Sequence, residues 1–210
     1  MITLLYTHLL AWQPQLTACL ATLPPTEQAR VQQFRQDRSA AQFIVGRTLL
    51  RQQLAKRLQQ PSAHITLAYG EFGKPYLPGS DWHFNVAHSG DWVLLGLGRC
   101  PLGVDVERVP LGWDWQAVAE RYFMPAELNW LAAQPSRAQA FAQLWTYKEA
   151  CLKCSGQGIL GLEMLTLQIQ DGQLRCAGFE GALRALTADI WAAAVVFEQP
   201  LSTEWDWQRV

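Results

Sequence analysis

The sequence predicts an α+β fold of two similar subdomains, each a helix packed on a small, mainly antiparallel sheet. Three observations carry this reading. Helical periodicity dominates residues 27–58 and returns over 136–154. Short alternating runs punctuated by Gly, Pro and Asp follow each helical stretch. The 210 residues are 50% apolar with ten tryptophans and only 17% charged, enough to fill one large core or two small ones and too apolar for disorder. No exact repeat is visible, yet both halves run from helix to strands, which divides the chain into subdomains 1–104 and 105–210.

In order, residues 3–10 read as a first strand. Pro24-Pro25-Thr26-Glu27 signals a helix start with Thr26 as N-cap, and the helix is expected to run to about Gln60, closed by Pro61. Phe43, Leu50, Leu54 and Leu58 share one face of it, and Arg47 falls inside that apolar stripe. A guanidinium there either snorkels along apolar surface or needs an acceptor, carboxylate or phosphate. Residues 64–69 alternate as a strand and 70–75 form a turn. Its two glycines and Lys74 could bring backbone N–H groups and a cation close to phosphate, but the Walker spacing is absent and the turn alone is weak evidence. Residues 82–89, 92–97 and 102–109 read as a three-stranded antiparallel meander. Helices follow over 113–123, from Pro125, and over 136–154. Strands are expected over 165–169, 172–177 and 190–197, with a short helix near 180–186. Residues 204–208 read as a surface tail folding its tryptophans back on the body.

Two places carry charge where chemistry is needed to explain it. If Gly103-Val104-Asp105-Val106-Glu107 is a strand, alternation sets Asp105 and Glu107 side by side on one face. Either both are solvated at a sheet edge, or a proton or cation sits between them, Mg²⁺ being the natural choice with phosphate. In the helix at 136–154, Phe141, Leu144, Trp145 and Leu152 make an apolar stripe that Lys148 and Glu149 interrupt. They are paired or ligated, or Glu149 and Lys153 simply form an i,i+4 pair at the stripe's edge.

Net charge is −1, which argues against nucleic acid. It is unevenly spread: residues 1–104 hold nine Lys/Arg against five Asp/Glu, and 105–210 hold eight against thirteen. Such a chain suits an anion on one side and a cation on the other. The five cysteines, with one isolated Cys151-x-x-Cys154 pair and no zinc-site spacing, read as reduced core thiols. No apolar run approaches a membrane span and residues 1–12 make a poor signal peptide, so no membrane and a cytoplasmic location are expected.

Taken together, Phe72-Gly73-Lys74-Pro75, Phe84-Asn85-Val86-Ala87-His88-Ser89, Gly103-Val104-Asp105-Val106-Glu107 and Trp145-Thr146-Tyr147-Lys148-Glu149, closing at Lys153, resemble the 4′-phosphopantetheinyl transferases of the surfactin-synthetase-activating type. The motifs fall in the family's order over about residues 30–160, and Gly46-Arg47 resembles its preceding helix. The resemblance implies a pseudo-twofold α+β monomer with coenzyme A in the cleft between its halves. It implies transfer of phosphopantetheine from coenzyme A to a serine of an apo acyl or peptidyl carrier protein, releasing adenosine 3′,5′-bisphosphate. By position, Asp105, Glu107 and Glu149 would hold Mg²⁺. Arg47, Lys74, Pro75 and His88 would line the coenzyme A site, with Arg30 and Arg38 on its nucleotide side. Lys153 would meet a pyrophosphate oxygen. Glu149, Glu127 or a metal-held water would take the serine proton. Ala87 departs from the serine many members carry there. A pyrophosphate hydrolase lacks support, because its multi-glutamate helix is absent. A non-catalytic carrier-binding module would have lost Asp105, Glu107, Glu149 or Lys153, and all four are present.

Overall fold

A computed structural model describes residues 1–109, 112, 114–156, 165–170, 173–176, 180–185, 191–198 and 205–210. The fold is α+β, and its centre is two sheets packed face to face. The first contains β1 (Ile2–His8), β4 (His83–Ser89), β5 (Trp92–Gly98) and β11 (Trp205–Arg209), in the order β11-β1-β5-β4. The second contains β6 (Leu102–Arg108), β9 (Glu180–Ala185) and β10 (Trp191–Phe197), in the order β6-β10-β9.

Alternation along each strand builds the layers. Leu5, Val93 and Leu95 face α3 (Asp37–Leu58), packing with Val45, Leu50 and Leu54. Their neighbours Ile2, Leu4 and Leu94 face the second sheet, meeting Val104, Val106 and Val195. Glycine makes that contact close, because a Cβ on Gly96 would lie 2.6 Å from Val104 Cγ1 and 2.8 Å from Leu102 Cδ1. The outer face of the second sheet, with Ala194 and Val196, packs on α6 (Arg137–Ser155) through Leu144, Tyr147 and Cys151. Each sheet thus carries one long helix on its outer face, as the predicted α+β class requires, although β11 (Trp205–Arg209) from the second half of the chain completes the first sheet.

Several local expectations change. The long first helix is broken into α2 (Pro25–Val31) and α3, and α1 (Leu16–Thr22) precedes them unforeseen. No Gly or Pro marks the break. It is set by tertiary contact, as Phe34 packs on Phe43 at 5.5 Å and Glu27 reaches across to Arg51. Pro24, not Thr26, occupies the N-cap of α2. The strand expected over 64–69 shrinks to β2 (Ala68–Tyr69), paired with β3 (Pro75–Tyr76), after a 3-10 turn at Ser62–His64. There Arg51 Nη1 donates to the carbonyls of Ser62 and Ile65 at 2.9 and 3.0 Å, replacing ladder bonds.

The three-stranded meander is also corrected. β4 and β5 pair antiparallel, but β6 crosses to the second sheet and pairs with β10. The short helix near 180–186 is strand β9 over its described part, held by β10 despite its helix-forming Ala and Leu. The tail is strand β11, parallel to β1 with Leu4 opposite Trp207. The remaining elements fall as expected: α4 (Trp115–Tyr122), α5 (Pro125–Ala132), and the hairpin β7 (Leu167–Gln170) with β8 (Gln173–Cys176). Asp114 caps α4, its Oδ1 accepting from Ala117 N–H. Among the described residues no helix is long and apolar enough to cross a membrane.

Candidate active site

The site lies where β6 meets α6. With Val104 and Val106 turned to the first sheet, Gly103, Asp105 and Glu107 face the helix. A Cβ on Gly103 would stand 2.0 Å from Ala150 O and 2.3 Å from Cys154 N, so only glycine lets β6 and α6 run in backbone contact. That approach places Asp105 against Lys153, whose Nζ lies 2.5 Å from Asp105 Oδ1. Asp105 is 2% exposed, and its other oxygen, Oδ2, is buried without a hydrogen-bond partner.

The neighbouring acids carry the marks of crowded negative charge. Glu107 is pushed up to about 7 by burial and then by Asp105, against a hydrogen bond from Ser89 Oγ at 2.8 Å. Glu149 is raised by burial, with Lys153 opposing and Asp105 adding to the shift. Burial pulls Lys153 down, but Asp105, Glu149 and Glu107 together outweigh it and leave the ammonium raised. The structure therefore brings Asp105, Glu107, Glu149 and Lys153 into one electrostatic group. Among the described residues no three His, Cys, Asp or Glu side chains already stand in a chelating arrangement. The donors nonetheless suit a hard divalent cation: three carboxylates, one with an oxygen still open.

Two cavities flank Asn85. One, of about 190 Å³, is lined by Arg30, Gln42, Arg47, Pro75 and His88 among others. Arg47 is buried, stacked over the rings of Phe43 and Tyr69 at 5.2 and 5.7 Å, with Nη2 donating to Tyr69 Oη. Glu27 is 3.7 Å from its Nε, but Nη1 is buried with no partner. Burial lowers its pKa. His88 is also lowered, by desolvation and by Lys153. The second cavity, of about 300 Å³, is lined by Phe72, Lys74, Leu152, Glu149 and Lys153 among others. Asn85 holds the boundary: its Oδ1 accepts from Val104 N–H at 2.9 Å and ties β4 to β6.

Three sequence-level readings need adjustment. Lys74 lines the second cavity, but its ammonium donates to backbone carbonyls. Arg38 lies outside both cavities, in an exposed pair with Asp91 at 3.3 Å. Glu127 is fully buried and accepts four hydrogen bonds, two from Lys148 Nζ and one each from the N–H of Met124 and Leu167. It has no free oxygen for a substrate proton. Lys148 and Glu149, adjacent in the interrupted stripe, thus face different ways. The first half has a counterpart that sequence reading missed: Glu27 on α2 and Arg51 on α3 form a buried bidentate pair at 2.8 and 3.1 Å. A signal existed. Both glutamates stand at the third position of a helix opened by proline, Pro25-Thr26-Glu27 and Pro125-Ala126-Glu127.

A family model described as the 4′-phosphopantetheinyl transferase superfamily matches residues 101–194, and one described as 4′-phosphopantetheinyl transferase, N-terminal, matches 10–97. The two meet at the crossover from β5 to β6. The chain is 31% identical over 156 residues to a 4′-phosphopantetheinyl transferase of Bacillus subtilis, covering 72% of this chain and 69% of that protein. It is 30% identical over 161 residues to the transferase Sfp of Bacillus subtilis strain 168, covering 74% and 70%. To HetI of Nostoc sp. it is 30% identical over 193 residues, covering 87% and 81%.

Proposed function

The chain belongs to the 4′-phosphopantetheinyl transferase superfamily, and from that premise we propose that it moves 4′-phosphopantetheine from coenzyme A to a serine of an apo acyl or peptidyl carrier protein, with Mg²⁺, releasing adenosine 3′,5′-bisphosphate. One observation supports the finer reading above others. A buried guanidinium N–H in the first half lacks an acceptor, and a buried carboxylate oxygen in the second lacks a donor or cation. Buried polar groups are seldom left so, and a ligand anionic along its length with a metal at one end completes both.

On this reading the subdomain 1–104 supplies the anion contacts and 105–210 the metal carboxylates. Arg47 Nη1, with Arg30 and His88, takes the 3′-phosphate, while Pro75 walls the nucleotide. Asp105, Glu107 and Glu149 would hold Mg²⁺, which when bound supplies charge neutralisation on the pyrophosphate. Lys153, already fixed by Asp105, extends positive charge to a pyrophosphate oxygen. The carrier serine oxygen forms its bond to the pantetheine-side phosphorus, and the bond from that phosphorus to the bridging oxygen breaks. Adenosine 3′,5′-bisphosphate leaves with the electron pair. The serine proton goes to Glu149 or to a metal-held water, since Glu127 has both oxygens occupied. On the same reading the enzyme is a cytoplasmic monomer that meets its carrier transiently.

The test is mass spectrometry of several apo carrier proteins incubated with coenzyme A and Mg²⁺, where a carrier should gain one phosphopantetheine. No gain on any carrier at saturating metal would refute the reaction. Asp105→Ala should abolish transfer and keep the fold by circular dichroism, so brisk turnover by that folded variant would refute the metal role.

A further inference from the structure

Lys74 stands in the turn between β2 and β3, where sequence reading expects a contact to the ligand. Its ammonium donates instead to three carbonyls: Leu102 at 3.2 Å, Cys154 at 3.1 Å, and Lys153. An ammonium has three donors, so none is left for a phosphate. The two carbonyls on α6 belong to its last turn, where no helical N–H follows to bond them and the helix dipole is negative. The third acceptor, Leu102, precedes Gly103, the residue at which β6 and α6 touch. One side chain thus joins the hairpin, the start of β6 and the end of α6. The same Lys153 whose carbonyl it holds sends Nζ to Asp105.

We propose that Lys74 is a positioning residue: it clamps the end of α6 onto β6 so that Lys153 and Asp105 meet in register, coupling the hairpin that borders both cavities to the reacting end of the site. What Lys153 does in turnover rests on the function proposed above, whereas the clamp itself does not. The alternative is a direct contact from Lys74 to coenzyme A.

The two separate in Lys74→Met, which keeps the aliphatic stem that packs near Gly156 and removes the donors. Three quantities are measured: the Kd for coenzyme A by calorimetry, kcat with a carrier, and hydrogen exchange over residues 150–156 without ligand. A clamp predicts exchange faster by ~10-fold or more as the last turn of α6 frays. It also predicts kcat lower by ~10–100-fold, as a reacting group shifts, with Kd within ~3-fold of the parent. Unchanged exchange overturns the proposal, whether or not Kd weakens. If Lys74→Met does not fold, Lys74→Gln is read by the same exchange measurement. If the parent modifies no carrier, the proposed function fails, while hydrogen exchange still decides the clamp.

Discussion

The buried pair Glu127–Lys148 gives a prediction whose size follows from the structure. Both side chains are completely inaccessible, and Lys148 supplies two of the four hydrogen bonds that Glu127 accepts. Lys148→Met preserves the stem's packing but leaves a buried carboxylate with only the N–H groups of Met124 and Leu167. Removing one partner of a buried ion pair costs about 3–5 kcal/mol, because the survivor stays desolvated and uncompensated. With an unfolding entropy of about 2.1 cal/mol/K per residue, a chain this long should lose about 7–11 °C of Tm in calorimetry. Adding Glu127→Gln to Lys148→Met removes the stranded charge and should recover part of the loss. A Tm within about 2 °C of the parent for Lys148→Met alone would show that the pair does not hold α5 to α6, and the reasoning would fail.

Three further outcomes are expected. Gly103→Ala forces a methyl into the backbone of α6 and should cost more than about 3 kcal/mol or prevent soluble expression, as read by denaturant titration; a near-parental midpoint would contradict the close approach. Glu107 binds its proton more tightly folded, at about 7 against an ordinary 4.5, so stability should fall as pH rises from about 4.5 to 7, by on the order of 2–3 kcal/mol. Denaturant midpoints with chelator at pH 5 and 8 measure this, and Glu107→Gln should flatten the slope; an unchanged slope counts against the assignment. Arg47→Met should raise KM for coenzyme A about 10-fold or more, kcat being the less affected, because a desolvated guanidinium donor is lost. Stability should change little, since Arg51 still grips Glu27. A KM equal to the parent's would remove Arg47 from the ligand site.

How much of this was legible in the sequence depended on whether the cause was local. Strand alternation at 103–107 correctly put Asp105 and Glu107 on one face, because a period of two needs no tertiary information. The misfit of Lys148 and Glu149 in an apolar stripe was equally visible. That one turns inward to Glu127 and the other toward Asp105 was not, since the partners lie on other elements. The break between Val31 and Asp37 escaped for the same reason, the chain there being turned by Phe34 on Phe43 and by Glu27 on Arg51 rather than by a breaker residue. β6 left the expected meander because its Val104 and Val106 cover the first sheet's inner face instead of extending its edge. Lys74 was recognisable as a cation beside the site, but its three acceptors come from segments 28 to 80 positions away.

The parallel pairing of β11 with β1 bears on how the chain is made. Thr7 Oγ donates to the carbonyl of Val210, 203 positions later, and Leu4 has Trp207 as its ladder neighbour. During vectorial synthesis the first sheet can assemble β1, β5 and β4 early, yet its edge beside β1 waits until residues 205–209 emerge. At about 5–20 residues per second, the roughly hundred residues after β5 leave that edge unpaired for about 5–20 s. Nascent chains would therefore pass through a stage with an open strand edge beside Tyr6. Chaperone dependence should be highest in that interval, and a stalled chain ending before residue 205 should be the species most prone to self-association.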